Sequence, residues 1–455
     1  SLFQSPSHPL LSVSFSISSL HLPHSSHLLT YSPSVMLEFL PLFLLPYLAF
    51  SQDDPVEVFP TPYPAFRDPL LGDELLMVQV VWRHGDRAPT MTFPTDPHQE
   101  SAWNYGWGEL TELGMRQQYA LGRLIHNRYI NGTYHFISPR YAPKEIYIRS
   151  TDVNRTLISA YSNIAGMFSE GQKGMDYPSH ERWPSFWTPV PVHTFDQNDD
   201  FEGNVFAPCP RANEILDQLK ASAEYRKLYS DNEKFLSFLS EKTGMNVDLG
   251  NAYLINDALY IERIYNMTIP AWFTPEVAGR LLNLTREANQ FIYGIGKPYS
   301  PELIKLRGGP MLKSINEIFR HKLSCHMRKN QGENCNWIGP LKYYAYSAHD
   351  TTVAALLSTF GDERRVIRGG LPHYTASVAL ELWNLADIGP AVKILFHGAF
   401  HHNYHTITHL TKGCPSNDEY CPFKTFTARS TRFEPKDIRK ECKPRIPVET
   451  NRVAK

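Results

Sequence analysis

The run Arg83-His84-Gly85-Asp86-Arg87-Ala88-Pro89 places two arginines around a histidine; a third arginine, Arg149, ends the stretch 145–148, and the pair His349-Asp350 follows residues 343–348. Guanidiniums stay charged at any working pH and match the oxygens of a tetrahedral oxyanion two at a time. Arg83, Arg87 and Arg149, with His349, are therefore candidate phosphate-binding residues. A phosphate site alone does not require a histidine between its arginines. Flanking positive charge depresses an imidazole's pKa, and the neutral ring keeps one nitrogen free to attack phosphorus, which makes His84 the candidate nucleophile. Charge then spreads over the phosphoryl oxygens, where the arginines and His349 stabilise it. The leaving alkoxide needs a proton; Asp350 is the candidate general acid and afterwards guides water onto the phosphohistidine, so an acid optimum is expected. Asp86 reads as a partner that fixes arginine rotamers rather than as a catalytic group. Arg155, one turn after Asp152, reads as an intrahelical ion pair or as support behind the site.

Three strand-to-helix junctions must carry these residues. Residues 75–81 form an apolar run suited to a strand covered on both faces, and 108–130 follow with helical spacing. In that helix Gly114 and Gly122 point to close packing. Residues 145–148 run into Arg149-Ser150-Thr151-Asp152, whose Ser, Thr and Asp are good caps for a helix over 157–168. Residues 343–348 run into His349-Asp350, followed by a helix over 353–360 that stops at Gly361. Segments 212–228, 232–242 and 275–293 are helical by period, and 377–383 and 392–396 read as further strands. The expected architecture is α/β: a three-layer core with a mixed, mostly parallel sheet between helices, plus a smaller, mainly helical inserted domain. Residues 72–206 and 320–442 form the catalytic core, 207–319 the insertion and 443–455 a tail. In such sheets ligands bind beyond the carboxyl ends of the strands, where helix N-termini favour anions.

The segments 83–89, 147–156 and 347–350 resemble the three signatures of the histidine acid phosphatases, in particular the branch holding the prostatic and lysosomal acid phosphatases. Residues 106–114 and 207–211 are similar to further segments of that branch, and the likeness spans about residues 75–442. The resemblance implies an α/β domain beside a helical one and a phosphohistidine mechanism with no metal or cofactor. It assigns Arg83, His84, Arg87, Arg149, His349 and Asp350 the roles argued above. It also implies Cys209–Cys442 and Cys414–Cys421 disulfides, while Cys325 and Cys335 depart from the animal enzymes' pattern. Two other readings share these residues: a histidine-dependent phosphoryl transferase or mutase, and a secreted phosphate-ester binding protein without turnover.

The chain of 455 residues has a formal net charge of −1, too little basic excess for a nucleic-acid partner. Expected partners are phosphate-monoester small molecules or phosphoproteins, with no stable membrane anchor and with a homodimer open to it. Residues 1–35 lack Asp, Glu, Lys and Arg and read as a non-native extension; from Met36, residues 36–51 read as a signal peptide. Sequons at Asn131, Asn154, Asn266 and Asn283 fit a secreted or lysosomal, lumenal glycoprotein, with Asn154 expected unused because it follows a catalytic strand end. The six cysteines allow 15 pairings; short loops favour Cys414 with Cys421 and Cys325 with Cys335, leaving Cys209 and Cys442. Zinc spacing is missing. The cluster His397, His401, His402, His405 and His409 lacks helix-borne ligand geometry and reads as a surface loop.

Overall fold

Strand β1 (Glu74–Arg83) is buried at every residue after Glu74, as a continuous apolar run requires. Met77 and Val81 pack on one face with Met311, Ile315, Val353 and Leu357. Val78, Val80 and Trp82 pack on the other with Leu121, Ile125, Ala160 and Ile164. The computed structural model describes residues 67–132, 134–327, 332–367, 370–399 and 403–445. The expected extension and signal peptide, His401, His402 and residues 446–455 lie outside that range.

The first face is covered by α7 (Pro301–His326) and α8 (Asp350–Phe360), the second by α1 (Glu112–Ile125) and α2 (Asn154–Met167). This is the expected three-layer α/β arrangement. Between helix layers the strands run β2 (Ile146–Ser150), β3 (Tyr343–Ala348), β1, β4 (Ser377–Leu385), β5 (Gly389–His397) and β6 (His405–Thr406), with β7 (Cys421–Pro422) on β5. The sheet is mixed but not mostly parallel: β2–β3 and β3–β1 are parallel, whereas β1–β4, β4–β5, β5–β6 and β5–β7 are antiparallel. Turn chemistry explains the difference. β4 and β5 are joined by residues 386–388 and enter β5 through Gly389 at φ 72°, a reversal that only an antiparallel hairpin accommodates.

Several element ends differ from the periodicity. Helix α1 begins at Glu112 rather than 108, because the Thr111 hydroxyl accepts the Gly114 N–H at 3.1 Å, and one π-helical turn continues it to Ile130. The residue before α2 is Val153, without a side-chain cap, so Ser150, Thr151 and Asp152 do not cap it. Residues 212–228 are not one helix: α3 (Pro210–Lys220) ends and α4 (Ala223–Thr243) starts on Ser222, whose hydroxyl accepts the Tyr225 N–H at 3.2 Å. With α5 (Ala252–Ile264) and α6 (Pro275–Ile292) they form the helical insert: α4, α5 and α6 pack around Phe235, Leu239, Ile255 and Leu281, and α3 packs through Ala212, Ile215 and Leu219 against Phe291 and Leu303.

Cys209 pairs with Cys442, Cys325 with Cys335 and Cys414 with Cys421, leaving no free cysteine. The described histidines of the late cluster do not form a surface loop: His397 ends β5 at 1% exposure, and His409 is buried as well. Among the described residues no group of His, Cys, Asp and Glu has metal-holding geometry, and no helix is long and apolar enough to cross a membrane.

The Cys209–Cys442 bridge spans 233 residues of sequence, so it restricts the unfolded chain more than the two short loops do. Replacing both cysteines by serine is expected to lower unfolding stability by about 3–5 kcal/mol, against about 2–3 for Cys414 with Cys421, measured by denaturant titration. An unchanged midpoint would contradict this ordering.

Candidate active site

β1 and β3 pair in parallel register, Arg83 opposite Ala348, so His84 and His349 each stand one residue past the end of neighbouring strands. The His84 N–H bonds the Ala348 carbonyl at 3.0 Å, and the imidazole centroids lie 5.7 Å apart. Helices hold the turn from behind. Gln118 Nε2 donates to the Arg83 carbonyl at 2.7 Å, the Gly85 N–H donates to Ser159 Oγ at 3.1 Å, and the Asp86 N–H donates to Gln117 Oε1 at 2.8 Å. A Cβ at Gly85 would lie 2.2 Å from the Gly114 carbonyl oxygen, so these glycines permit a backbone contact that no other residue allows.

His84 is 2% exposed, and its Nδ1 lies 2.7 Å from the Gly85 carbonyl. A carbonyl only accepts, so Nδ1 carries the proton and Nε2 keeps its lone pair. Burial, then Arg83, Arg155, Arg87 and His349, drives the His84 pKa well below an ordinary imidazole's. His349 is pushed down to about 3, first by burial and then by Arg155, with Arg87 and Arg83 adding to the effect against Asp350. Both rings are neutral at physiological pH. His349 Nε2 lies 3.0 Å from Thr151 Oγ1.

The cations surround this pair. Arg83 Nη2 meets Asp350 Oδ2 at 3.0 Å, its Nη1 donates to the Pro372 carbonyl at 2.7 Å, and its guanidinium lies 4.2 Å from the Tyr374 ring centroid. Tyr374 is held by a tight turn in which Thr375 adopts φ 63° and its N–H bonds the His84 carbonyl at 3.2 Å. That left-handed conformation is unfavourable for a β-branched residue. Arg87 is forked onto Asp257 of α5 at 2.9 and 3.0 Å. Asp350 is an N-terminal residue of α8 whose Oδ1 accepts the Thr351 N–H at 2.7 Å. Burial raises its pKa, but Arg83, Arg87 and His349 outweigh burial, and the net position is below an ordinary aspartate's.

The third guanidinium at this centre is Arg155, not Arg149. Arg149 alternates onto the α7 side of the sheet, where Nη1 meets Glu202 at 2.5 Å and Nη2 meets Asp200 at 3.2 Å, beneath Phe195. Arg149 is not among the charges that act most on His84 or His349. Arg155, in the first turn of α2, is after burial the first charge to lower His349 and, after Arg83, the next to lower His84, and its Nη1 donates to the Gly108 carbonyl at 3.5 Å. Burial, followed by repulsion from Arg87, brings its pKa down to about 10. The expected pairing with Asp152 is replaced by this position. Asp86 likewise does not orient the arginines: it accepts from Thr111 Oγ1 at 2.6 Å and from the Tyr265 hydroxyl. Asn154 Nδ2 donates to Glu109 at 3.0 Å.

The arrangement thus offers a neutral imidazole nitrogen with its lone pair free, three cations that act on it and a carboxylate paired with one of them. Inorganic phosphate should bind with at least about tenfold lower affinity in Arg155→Ala, the loss of one charge-assisted contact, but within about threefold of normal in Arg149→Ala. Calorimetric titration distinguishes the two; equal losses would refute the exchange of roles.

Residues 74–397 match the model of the histidine phosphatase superfamily (branch 2). Prostatic acid phosphatase of Bos taurus is 33% identical over 372 residues, covering 81% of this chain and 88% of that protein. Lysosomal acid phosphatase of Bos taurus is 31% identical over 370 residues, covering 81% and 80%. The apo phytase of Hafnia alvei shares the fold with a TM-score of 0.59 at 16% identity, covering 83% of this chain and all of that one. The motifs at the ends of β1, β2 and β3 and the match over most of the chain agree: the chain belongs to branch 2 of the histidine phosphatase superfamily.

Proposed function

We propose that this protein is an acid phosphatase that hydrolyses phosphate monoesters through a phosphohistidine on His84. The observation that carries the reading is the Nδ1 contact to the Gly85 carbonyl, which leaves Nε2 as a lone pair inside a ring of cations. Nε2 attacks phosphorus, the P–O bond to the alcohol breaks, and Arg83, Arg87 and Arg155 stabilise the charge on the phosphoryl oxygens. His349, neutral, contributes as a hydrogen-bond partner rather than as a cation. Asp350 protonates the leaving oxygen. In the second step the Asp350 carboxylate takes a proton from water, whose oxygen attacks the phosphohistidine and releases inorganic phosphate.

The expected reason for an acid optimum changes. Asp350 is ionised in the free protein near neutrality, so its proton comes with the substrate: a phosphomonoester, with a second pKa of about 6, enters as a monoanion at acid pH. Its charge also offsets the arginine field that holds Asp350 low. The three disulfides support an oxidising compartment, and with it a secreted or lysosomal, lumenal protein acting on small phosphomonoesters or phosphoproteins.

For an alkyl phosphate, kcat/KM should fall about tenfold per unit above roughly pH 6. It should not climb through about pH 6.5, because both site histidines are already neutral there. A climb through that range in a stopped pH-rate series would contradict the assigned protonation states. In rapid quench with a labelled ester, His84→Ala should form no acid-labile phosphoenzyme. Asp350→Asn should lose about 10²–10⁴-fold on alkyl phosphates and much less on p-nitrophenyl phosphate, whose leaving group needs no proton. Equal losses on both would remove Asp350 from the general-acid role.

A further inference from the structure

Glu262 is fully buried in α5, yet neither of its carboxyl oxygens receives a hydrogen bond from a donor among the described residues. The group it meets is another carboxyl, that of Asp96 in the loop after Pro89, itself 4% exposed. Asp96 has donors on both oxygens: the His98 N–H reaches Oδ1 at 2.9 Å, and the Thr92 hydroxyl reaches Oδ2. A carboxylate only accepts, whereas a protonated carboxyl can donate. The unequal supply of donors therefore makes Asp96 the ionised partner and Glu262 the one that carries the proton. Burial, and then Asp96, pushes the Glu262 pKa up to about 9.

Other ionisable groups near Glu262 are engaged elsewhere. His98 Nε2 lies 2.9 Å from the Thr268 carbonyl, the Arg263 guanidinium lies 4.9 Å from the Phe273 ring centroid, and the Tyr265 hydroxyl donates to Asp86. The pair also sits where α5 grips the catalytic loop. Asp257 forks Arg87, Ile261 packs with Ala88 and Trp103, and Tyr265 reaches Asp86. Positions 257, 261 and 265 recur every four residues, one stripe of a helix, and Glu262 stands beside it. One helix of the insert thus holds the loop at residues 86, 87, 88 and 96, and the contact at Asp96 requires a carboxyl proton.

We propose that Asp96 and Glu262 form a proton-dependent latch that fastens the helical insert to the loop following the nucleophile, closed while the two carboxyls share one proton and opened when that proton leaves. The latch does not depend on the phosphatase reading; it adds a conformational device suited to an acidic compartment. The unfolded chain gives up this proton near an ordinary glutamate's pKa, about 4.3, and the folded chain only near about 9. The stability the latch contributes is therefore full below the first value and is lost as pH rises through the second.

Denaturant titrations of wild type and Glu262→Gln across that range test the latch, because the glutamine amide donates to Asp96 without titrating. The ratio of unfolding equilibrium constants, wild type over variant, should rise about tenfold or more between about pH 6 and about pH 8. Hydrogen exchange of the α5 amides, corrected for the intrinsic effect of pH, should show protection falling about tenfold or more in wild type between about pH 7 and about pH 9.5, and by less than about threefold in Glu262→Gln. Glu262→Ala, which donates nothing, should lack that extra protection already at acid pH. A ratio of unfolding constants that does not change with pH would overturn the latch, as would α5 protection lost equally in wild type and Glu262→Gln. If Glu262→Gln does not fold, Asp96→Asn supplies the same comparison, its amide donating to an ionised Glu262, and a pH-independent ratio there refutes the proposal equally. No arm requires turnover, so failure of the phosphatase reading and failure of the latch are told apart.

Discussion

Packing three guanidiniums around one buried imidazole is electrostatically unfavourable, and the rest of the structure is organised around holding them there. Each cation near His84 raises the cost of the others, and the Arg155 pKa is lowered first by burial and then by Arg87. Arg83 leans on Asp350 and the face of Tyr374, and Arg87 on Asp257. Arg155 is left with least compensation. The same crowding makes the site receptive to a tetrahedral anion and, added to burial, keeps the histidines neutral.

Holding charges against their own repulsion requires a rigid frame. Parallel pairing of β1 with β3 sets the spacing of His84 and His349 by backbone hydrogen bonds rather than by side-chain choice. Behind them, Gln117, Gln118 and Ser159 satisfy the backbone of the turn, and the Gly85–Gly114 contact brings α1 against it. The Gly85 and Asp86 N–H groups and the Arg83 carbonyl are paired in that position, so the turn cannot relax without leaving them unmatched.

The strand–helix junctions carrying Arg83, His84, Arg87, His349 and Asp350 were legible because apolar runs ending in charged residues are local signals. Arg149 and Arg155 were harder to separate. Both follow β2 within one short segment, and only the strand's alternation and the start of α2 at Asn154 decide which faces the crevice. Two acidic partners, Asp200 and Glu202, lie some fifty residues along the chain from Arg149, at separations of 51 and 53, beyond the reach of any periodic argument. Asp257 and Tyr374 reach the site only through tertiary contacts, and nothing in their own neighbourhoods marks them. The βα junctions dominate the sequence pattern and suggest a parallel sheet, whereas the antiparallel β4–β5 hairpin is announced by little more than Gly389.

The fork between Arg87 and Asp257 has a further meaning for selectivity among ions. Arg87 has a bidentate anion contributed by the helical insert, with 2.9 and 3.0 Å contacts. An incoming ligand must therefore exchange with a tethered carboxylate rather than fill an unoccupied fork. Chloride and other weakly coordinating ions cannot match two directed contacts at once, whereas a phosphoryl group can. The insert's carboxylate thus makes entry at Arg87 an exchange of one bidentate oxyanion for another, which favours a phosphoryl group over a monatomic ion.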